Sequence, residues 1–174
     1  MDINIRSALP GDAAAIANLH VLVWRETYRT LASPDAFREL DEAHRQARWA
    51  ATLAEPGRDQ LVLLAEQGDR PVGIGSVGAP SHAVFEGRGE IRSLYVHPSL
   101  KRRGLGRRLM RELARHLADR RYPGVALSVV AGNEPAIAFY RSLGGRMAGR
   151  YIDPGPLWRS DNIVFVWDDL SLLI

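Results

Sequence analysis

The sequence predicts an α/β or α+β domain, a β-sheet covered by helices, and three observations predict it. Segments of strand character alternate with segments of helical period along the chain. Residues 61–77 read as a hairpin, two short apolar runs around the turn "QGDR". From Leu105 onward, Leu109, Leu113 and Leu117 recur at every fourth position, with Met110, Ala114 and Ala118 beside them. Arginines and acids fill the other side, so this segment is an amphipathic helix running to about Arg121.

The elements follow in order. "INIRSAL" alternates apolar and polar residues and reads as the first strand. Pro10, Gly11 and Asp12 punctuate it, with Asp12 placed to cap the next helix, on which Ile16, Leu19, His20, Val23, Trp24 and Thr27 share near-helical spacing. "SPDAFRELDEAHRQARWAATLAE" reads as a second helix, with Ser33 as N-cap and Pro34 at its first position; Glu55, Pro56 and Gly57 end it. After the hairpin and the polar, Gly-rich "HAVFEGRG" comes "EIRSLYV". There Ile91, Leu94 and Val96 are apolar without strict alternation, which points to a bulge. Beyond the leucine helix lie the strand "VALSVV", the helix "NEPAIAFYRSL" opened by Asn133 and closed by Gly144, and a last strand in "NIVFVWDDL".

Composition narrows the functions. At 174 residues, with no repeat, linker or low-complexity tract, residues 1–174 are expected to form one domain with a core of its own. The chain has no cysteine, which removes disulfides, thiolate metal sites and cysteine nucleophiles together. Its five scattered histidines show no metal-ligand spacing, so no metal is expected. Neither a secretory signal nor a membrane-spanning apolar run is visible, and a cytoplasmic protein is expected. Net charge is +3, and Lys101 is the only lysine. Cations and carboxylates interleave in "FRELDEAHRQAR", which reads as a solvated helix face.

The concentrated basic cluster, Lys101, Arg102, Arg103, Arg107 and Arg108, surrounds Gly104, Leu105 and Gly106 between a strand and a helix. Such a junction can hold an anion. Glycines let the backbone approach a ligand, and the first amides of a helix lack internal partners. A dinucleotide fingerprint would need a third glycine where Leu109 stands, and a Walker loop would need Lys-Ser/Thr where Arg107 and Arg108 follow. A tight turn with a charged rim fits the same residues.

The segment "EIRSLYVHPSLKRRGLGRRLM" resembles the acyl-CoA-binding motif of the GNAT superfamily of N-acetyltransferases, Gln/Arg-x-x-Gly-x-Gly/Ala, with Lys101, Gly104 and Gly106 at the motif positions. Lysine keeps the charge of the usual residue and loses the planar fork of arginine. "VVAGNEPAIAFYRSLGG" is similar to the next strand–helix segment of that superfamily, and "HVLVWRETYRTLASPDAF" to the helices that cover its acceptor. The resemblance implies a mixed, twisted sheet in which two parallel strands splay apart around a pantetheine arm. It implies acetyl-CoA as acyl-donor co-substrate. The backbone of Leu94, Tyr95 and Val96 would line the arm, and the amides of Arg103, Gly104, Leu105, Gly106, Arg107 and Arg108 would hold the diphosphate beside Lys101 and Arg102.

Under the same resemblance Tyr140 donates a proton to the departing thiolate; helix spacing alone makes it a core aromatic beside Phe139. Asn133 orients the cofactor or only caps its helix. Glu90 is a base for the incoming amine or a strand-end carboxylate, and His97, the alternative base, precedes Pro98 as a turn residue would. Trp24 and Tyr28 wall the acceptor or belong to a core stripe. Asp35, Glu39, Asp41 and Glu42 attract a cationic amine or form a solvated helix face, the solvated face being the default. The expected activity is direct transfer of acetyl to a primary amine in a ternary complex, the acceptor being a small molecule or a protein. Two rivals remain open, a non-catalytic acyl-CoA-binding regulatory module and a basic nucleic-acid-binding domain. The apolar end "LSLLI" offers a surface for a homodimer.

Overall fold

The computed structural model describes residues 2–155 and 157–174. Strands β1 (Ile3–Ser7), β2 (Leu61–Gln67), β3 (Arg70–Gly78), β4 (Gly89–Val96), β5 (Val125–Val130), β6 (Arg146–Asp153) and β7 (Ser160–Trp167) form one sheet in the order β1-β2-β3-β4-β5-β7-β6. Every neighbouring pair is antiparallel except β4 and β5. Helices α1 (Ala13–Tyr28) and α3 (Glu42–Ala54) cover one face, and α4 (Leu105–Asp119) and α5 (Glu134–Ser142) the other; the short α2 (Pro34–Glu39) joins the first two.

Two-residue periodicity divides the core between these layers. On β2, Leu63 and Ala65 pack with Leu105, Leu109 and Leu113 of α4, while Val62 and Leu64 pack with Ile16, Leu19 and Trp49. On β4 the parity changes midway, since Ile91, Leu94 and Val96 all face α4 whereas Tyr95 faces α1. The register explains it. Ser93 pairs with Ser76 and Ile91 with Val77, so Arg92 is the extra residue of a bulge. The broken alternation at 91–96 is that bulge.

Three expectations need correction. Asp12 stands at the start of α1 but its side chain makes no cap bond. Its carboxylate accepts from Arg6 at 2.7 and 3.0 Å and from the Leu9 amide at 2.7 Å, and Arg6 also reaches Glu66, tying β1 to β2. The segment after Ser33 is two helices. Ser33 caps α2 through the Ala36 amide, the chain leaves helical geometry at Leu40, and Asp41 starts α3 by accepting from the His44 amide. Strand β6 also lies in a stretch to which the sequence assigned no element. It is a sheet edge with nearly every residue exposed, so neither face carries an apolar signal. Leu173 of the "LSLLI" end joins the α4 core of this same chain, while Leu172 and Ile174 are exposed. No helix among the described residues is long and apolar enough to cross a membrane.

Candidate active site

The sheet opens between β4 and β5. These strands pair only at Gly89–Val125 and Glu90–Ala126 and then separate. Beyond that point β4 keeps β3 as a partner and β5 keeps β7, so the inner edges of 91–96 and 127–130 face each other across a gap. Leu94, Tyr95 and Val96 lie on this open stretch of β4. Unpaired strand edges can take an extended ligand by main-chain hydrogen bonds.

The basic loop stands at the far end of β4. His97 caps a short 3₁₀ turn, its Nδ1 accepting from the Ser99 amide, while its Nε2 lies 2.8 Å from Arg70; it behaves as the turn residue. Gly104 then opens α4 at φ +83°, in the left-handed region that favours glycine, and a Cβ added there would meet no atom within 4 Å. At Gly106 a Cβ would stand 3.2 Å from the Phe139 ring, so α5 closes tightly on this turn. The Arg108 amide donates to Gly104 O at 3.0 Å and is spent within the helix. Among the described residues, the amides of 102–107 find no protein acceptor. Lys101 Nζ pairs with Glu26 at 3.0 Å, and Arg108 donates to Ile3 O, so these two cations hold α1 and β1 to the loop. A splayed strand pair with an open helix mouth fits an extended ligand that ends in a diphosphate.

Tyr140 lies in the core with Phe139, Phe165 and Trp167 around it and is 8% exposed. Burial pushes its phenol well above the usual range, with the nearby Tyr28 and Tyr95 phenols adding to the rise. The ring of Tyr140 is therefore core, as helix spacing alone suggests, and its hydroxyl lies near the phenols of Tyr28 and Tyr95. Burial raises Tyr28 as well, opposed in part by the Asn133 side chain. Asn133 also caps α5, accepting from the Ala136 amide at 3.4 Å. Thus Tyr140, Tyr28, Tyr95 and Asn133 come together from three elements, α1, β4 and α5 with its cap.

Glu90 sits at the last parallel pair, where the gap begins, and is 9% exposed, so it is no solvated strand end. Its Oε2 accepts from the Ser81 amide at 2.8 Å and lies 3.5 Å from Arg92 Nε, while Oε1 has no hydrogen-bond partner among the described residues. It touches neither Tyr140 nor the Trp24 cluster. Trp24 is buried at the centre of an aromatic group with Tyr28, Phe37 and Trp158, with centroids 5.1–5.9 Å apart. It is core, and Tyr28 and Trp158 form the more open side of the group. Trp158 lies in the loop before β7, of which Pro156 is outside the described residues.

The site includes residues that the sequence did not single out. Arg45, assigned to a solvated face, is half-buried and leans over the Trp24 ring at 5.6 Å; burial lowers its guanidinium from the usual range. His20 stacks on Tyr95 at 4.3 Å, and its Nδ1 accepts from Trp49 Nε1 at 3.0 Å. Burial, helped by the charge of Arg45, holds this imidazole down at about 3. The only available signal was the spacing of Arg45, Arg48, Trp49 and Thr52, which sets them on one side of α3 and on one cleft, with Trp49 buried and Arg48 exposed at its edge. The acidic residues Asp35, Glu39, Asp41 and Glu42 are exposed, as a solvated face requires. Among the described residues no group of three or more His, Asp or Glu side chains is placed to hold a metal ion.

Comparison with known proteins agrees with this geometry. The family model described as "Acetyltransferase (GNAT) family" matches residues 17–144. The chain is 27% identical over 173 residues to an uncharacterized N-acetyltransferase, YuaI, of Bacillus subtilis (strain 168), covering 98% of this chain and 96% of that one. It is 44% identical over 79 residues to mycothiol acetyltransferase of Acidothermus cellulolyticus, a match spanning 45% of this chain and only 24% of that relative. Its fold matches that of yncA from Salmonella typhimurium, solved with its cofactor acetyl-CoA, with a TM-score of 0.69 at 24% identity over 96% of this chain and 94% of that one. The mixed seven-stranded sheet opened at one parallel pair and the family match over most of the chain lead to one conclusion: this chain belongs to the acetyltransferase (GNAT) family of N-acetyltransferases.

Proposed function

We propose that the protein transfers an acetyl group from acetyl-CoA to a primary amine by direct attack within a ternary complex. The observation that carries this reading is the gap between β4 and β5 ending at a helix mouth whose amides at 102–107 lack acceptors. Bound there, acetyl-CoA supplies a thioester, an acyl group activated toward an amine. The chain's own residues supply the rest. The edge at Leu94, Tyr95 and Val96 pairs with the extended arm, and the loop amides and the dipole of α4 hold the diphosphate. Arg102, Arg103 and Arg107, all exposed, add attraction for the anion.

At the reacting end, the Tyr140 phenol, protonated at neutral pH as any tyrosine is and pushed further up by burial, is a donor for the negative charge that develops on a departing sulfur. Glu90 Oε1, at the opening of the gap, is free to take the proton that an ammonium must lose before it can attack. With no cysteine in the chain, a cysteinyl acyl-enzyme has no nucleophile, which favours direct transfer. Most of the rate gain then comes from holding the two reactants together out of water. Thiol release from acetyl-CoA in the presence of a panel of primary amines tests the reading. Amine-dependent release is expected, and tight acetyl-CoA binding without release for any amine would favour the regulatory module instead.

A further inference from the structure

On the α1/α3 face of the sheet a cleft of about 320 Å³ opens beside Ser93 and Tyr95 of β4, at the small end of ligand-pocket sizes. Three guanidinium groups line it, Arg45, Arg48 and Arg92, and no carboxylate does. Arg92 is partly balanced, with Glu90 Oε2 3.5 Å from its Nε and Ala79 O accepting from its Nη2 at 2.7 Å. Arg45 and Arg48 have no carboxylate partner among the described residues.

Two buried donors in this wall are unsatisfied. His20 is only 6% exposed. Trp49 Nε1–H can only donate, so His20 Nδ1 must accept, and in the neutral ring the proton stands on Nε2. Among the described residues that Nε2 has no acceptor, and neither does Arg45 Nε. Buried polar atoms without partners are uncommon, and each is costly unless a ligand supplies what is missing. Here the missing chemistry is an acceptor with negative charge. A polyamine brings neither, and three guanidinium groups would repel it. The cleft adjoins the open strand through Tyr95, and Arg45 lies near enough to the Tyr28 and Tyr95 phenols to affect their ionisation.

We infer that the acceptor carries an oxyanion, a carboxylate or a phosphate, which Arg45 and the His20 Nε2–H hold in this cleft with the amine turned toward the gap between β4 and β5. Arg48 and Arg92 add charge at its mouth. The inference rests on the amine-acetylation reading and narrows the acceptor to small amines bearing an acid group.

Calorimetric titration of the full chain in the presence of CoA tests it without relying on turnover. The probes are the common L-amino acids, their carboxamides, O-phosphoethanolamine, ethanolamine and spermidine. At least one acid-bearing amine is expected to bind, with its uncharged counterpart about tenfold or more weaker. The amino-acid and phosphoethanolamine arms separate carboxylate from phosphate. Arg45→Gln should weaken that binding about 10–100-fold and leave acetyl-CoA affinity unchanged, with Arg45→Lys recovering part of the loss. Spermidine or the carboxamides binding as well as the acids, no acid-bearing amine binding at all, or an unaltered Arg45→Gln would overturn the inference. An acid-bearing amine that binds without supporting thiol release would count against acetyl transfer and leave the cleft assignment standing. Release with spermidine alone would do the reverse.

Discussion

His20 shows how much one buried side chain can govern. Its imidazole is held at about 3, against 6.5 for the ordinary group, chiefly by burial. Between those values the unfolded chain binds a proton that the native protein refuses, so stability falls as pH is lowered through this window. The contribution approaches about 1.4 kcal/mol per pH unit. Urea unfolding at pH 6.5 and pH 5 should show the parent losing about 1.6 kcal/mol more than His20→Gln, in which nothing titrates at this position. Equal losses would mean that the ring is charged or open to solvent in the native state. Tyr140 makes a different claim. Tyr140→Phe keeps the ring packed on Phe165 and Trp167 and removes only the hydroxyl. A fall in kcat of about a hundredfold is expected, with little change in acetyl-CoA affinity. Unchanged turnover would return Tyr140 to the core alone.

Among the elements, α4 was the most legible, because Leu105, Leu109, Leu113 and Leu117 repeat on one side and every one is buried. Leu113→Ala should cost about 2–5 kcal/mol in denaturant unfolding, since nothing nearby can fill the space without moving the sheet. The bulge at Arg92 was legible too, because a change of parity is written directly into the apolar positions. Strand β6 was not, since an exposed edge needs no pattern. The break between α2 and α3 was missed because helical spacing survives across it, and only Asp41, as a second N-cap, marks the restart. Asp41→Ala should cost about 1 kcal/mol and loosen the start of α3. Because α3 carries Arg45, it should also weaken binding of acid-bearing amines more than binding of acetyl-CoA. The loop proposed to hold the anion could be picked out from sequence because its parts are adjacent in the chain. The cleft could not, because α1, α3, β3 and β4 each bring part of it, and beyond the four residues on α3 no spacing relates them.

On the scale of the whole molecule, the fold divides the labour between the two faces of the sheet. The α4/α5 face carries the open helix mouth, the α1/α3 face carries the cationic cleft, and the separation of β4 from β5 joins them. Tyr95 stands at the junction, its backbone on the gap and its ring stacked on His20. Under the proposed function this arrangement would bring an acyl donor and an amine to one place from opposite sides, as direct transfer requires. The most direct test is a crystal structure of the protein grown with acetyl-CoA. The diphosphate should lie on the amides of residues 102–107, with the arm between β4 and β5 and the thioester beside Tyr140. Acetyl-CoA bound elsewhere, or a gap closed by further pairing of β4 with β5, would contradict the account.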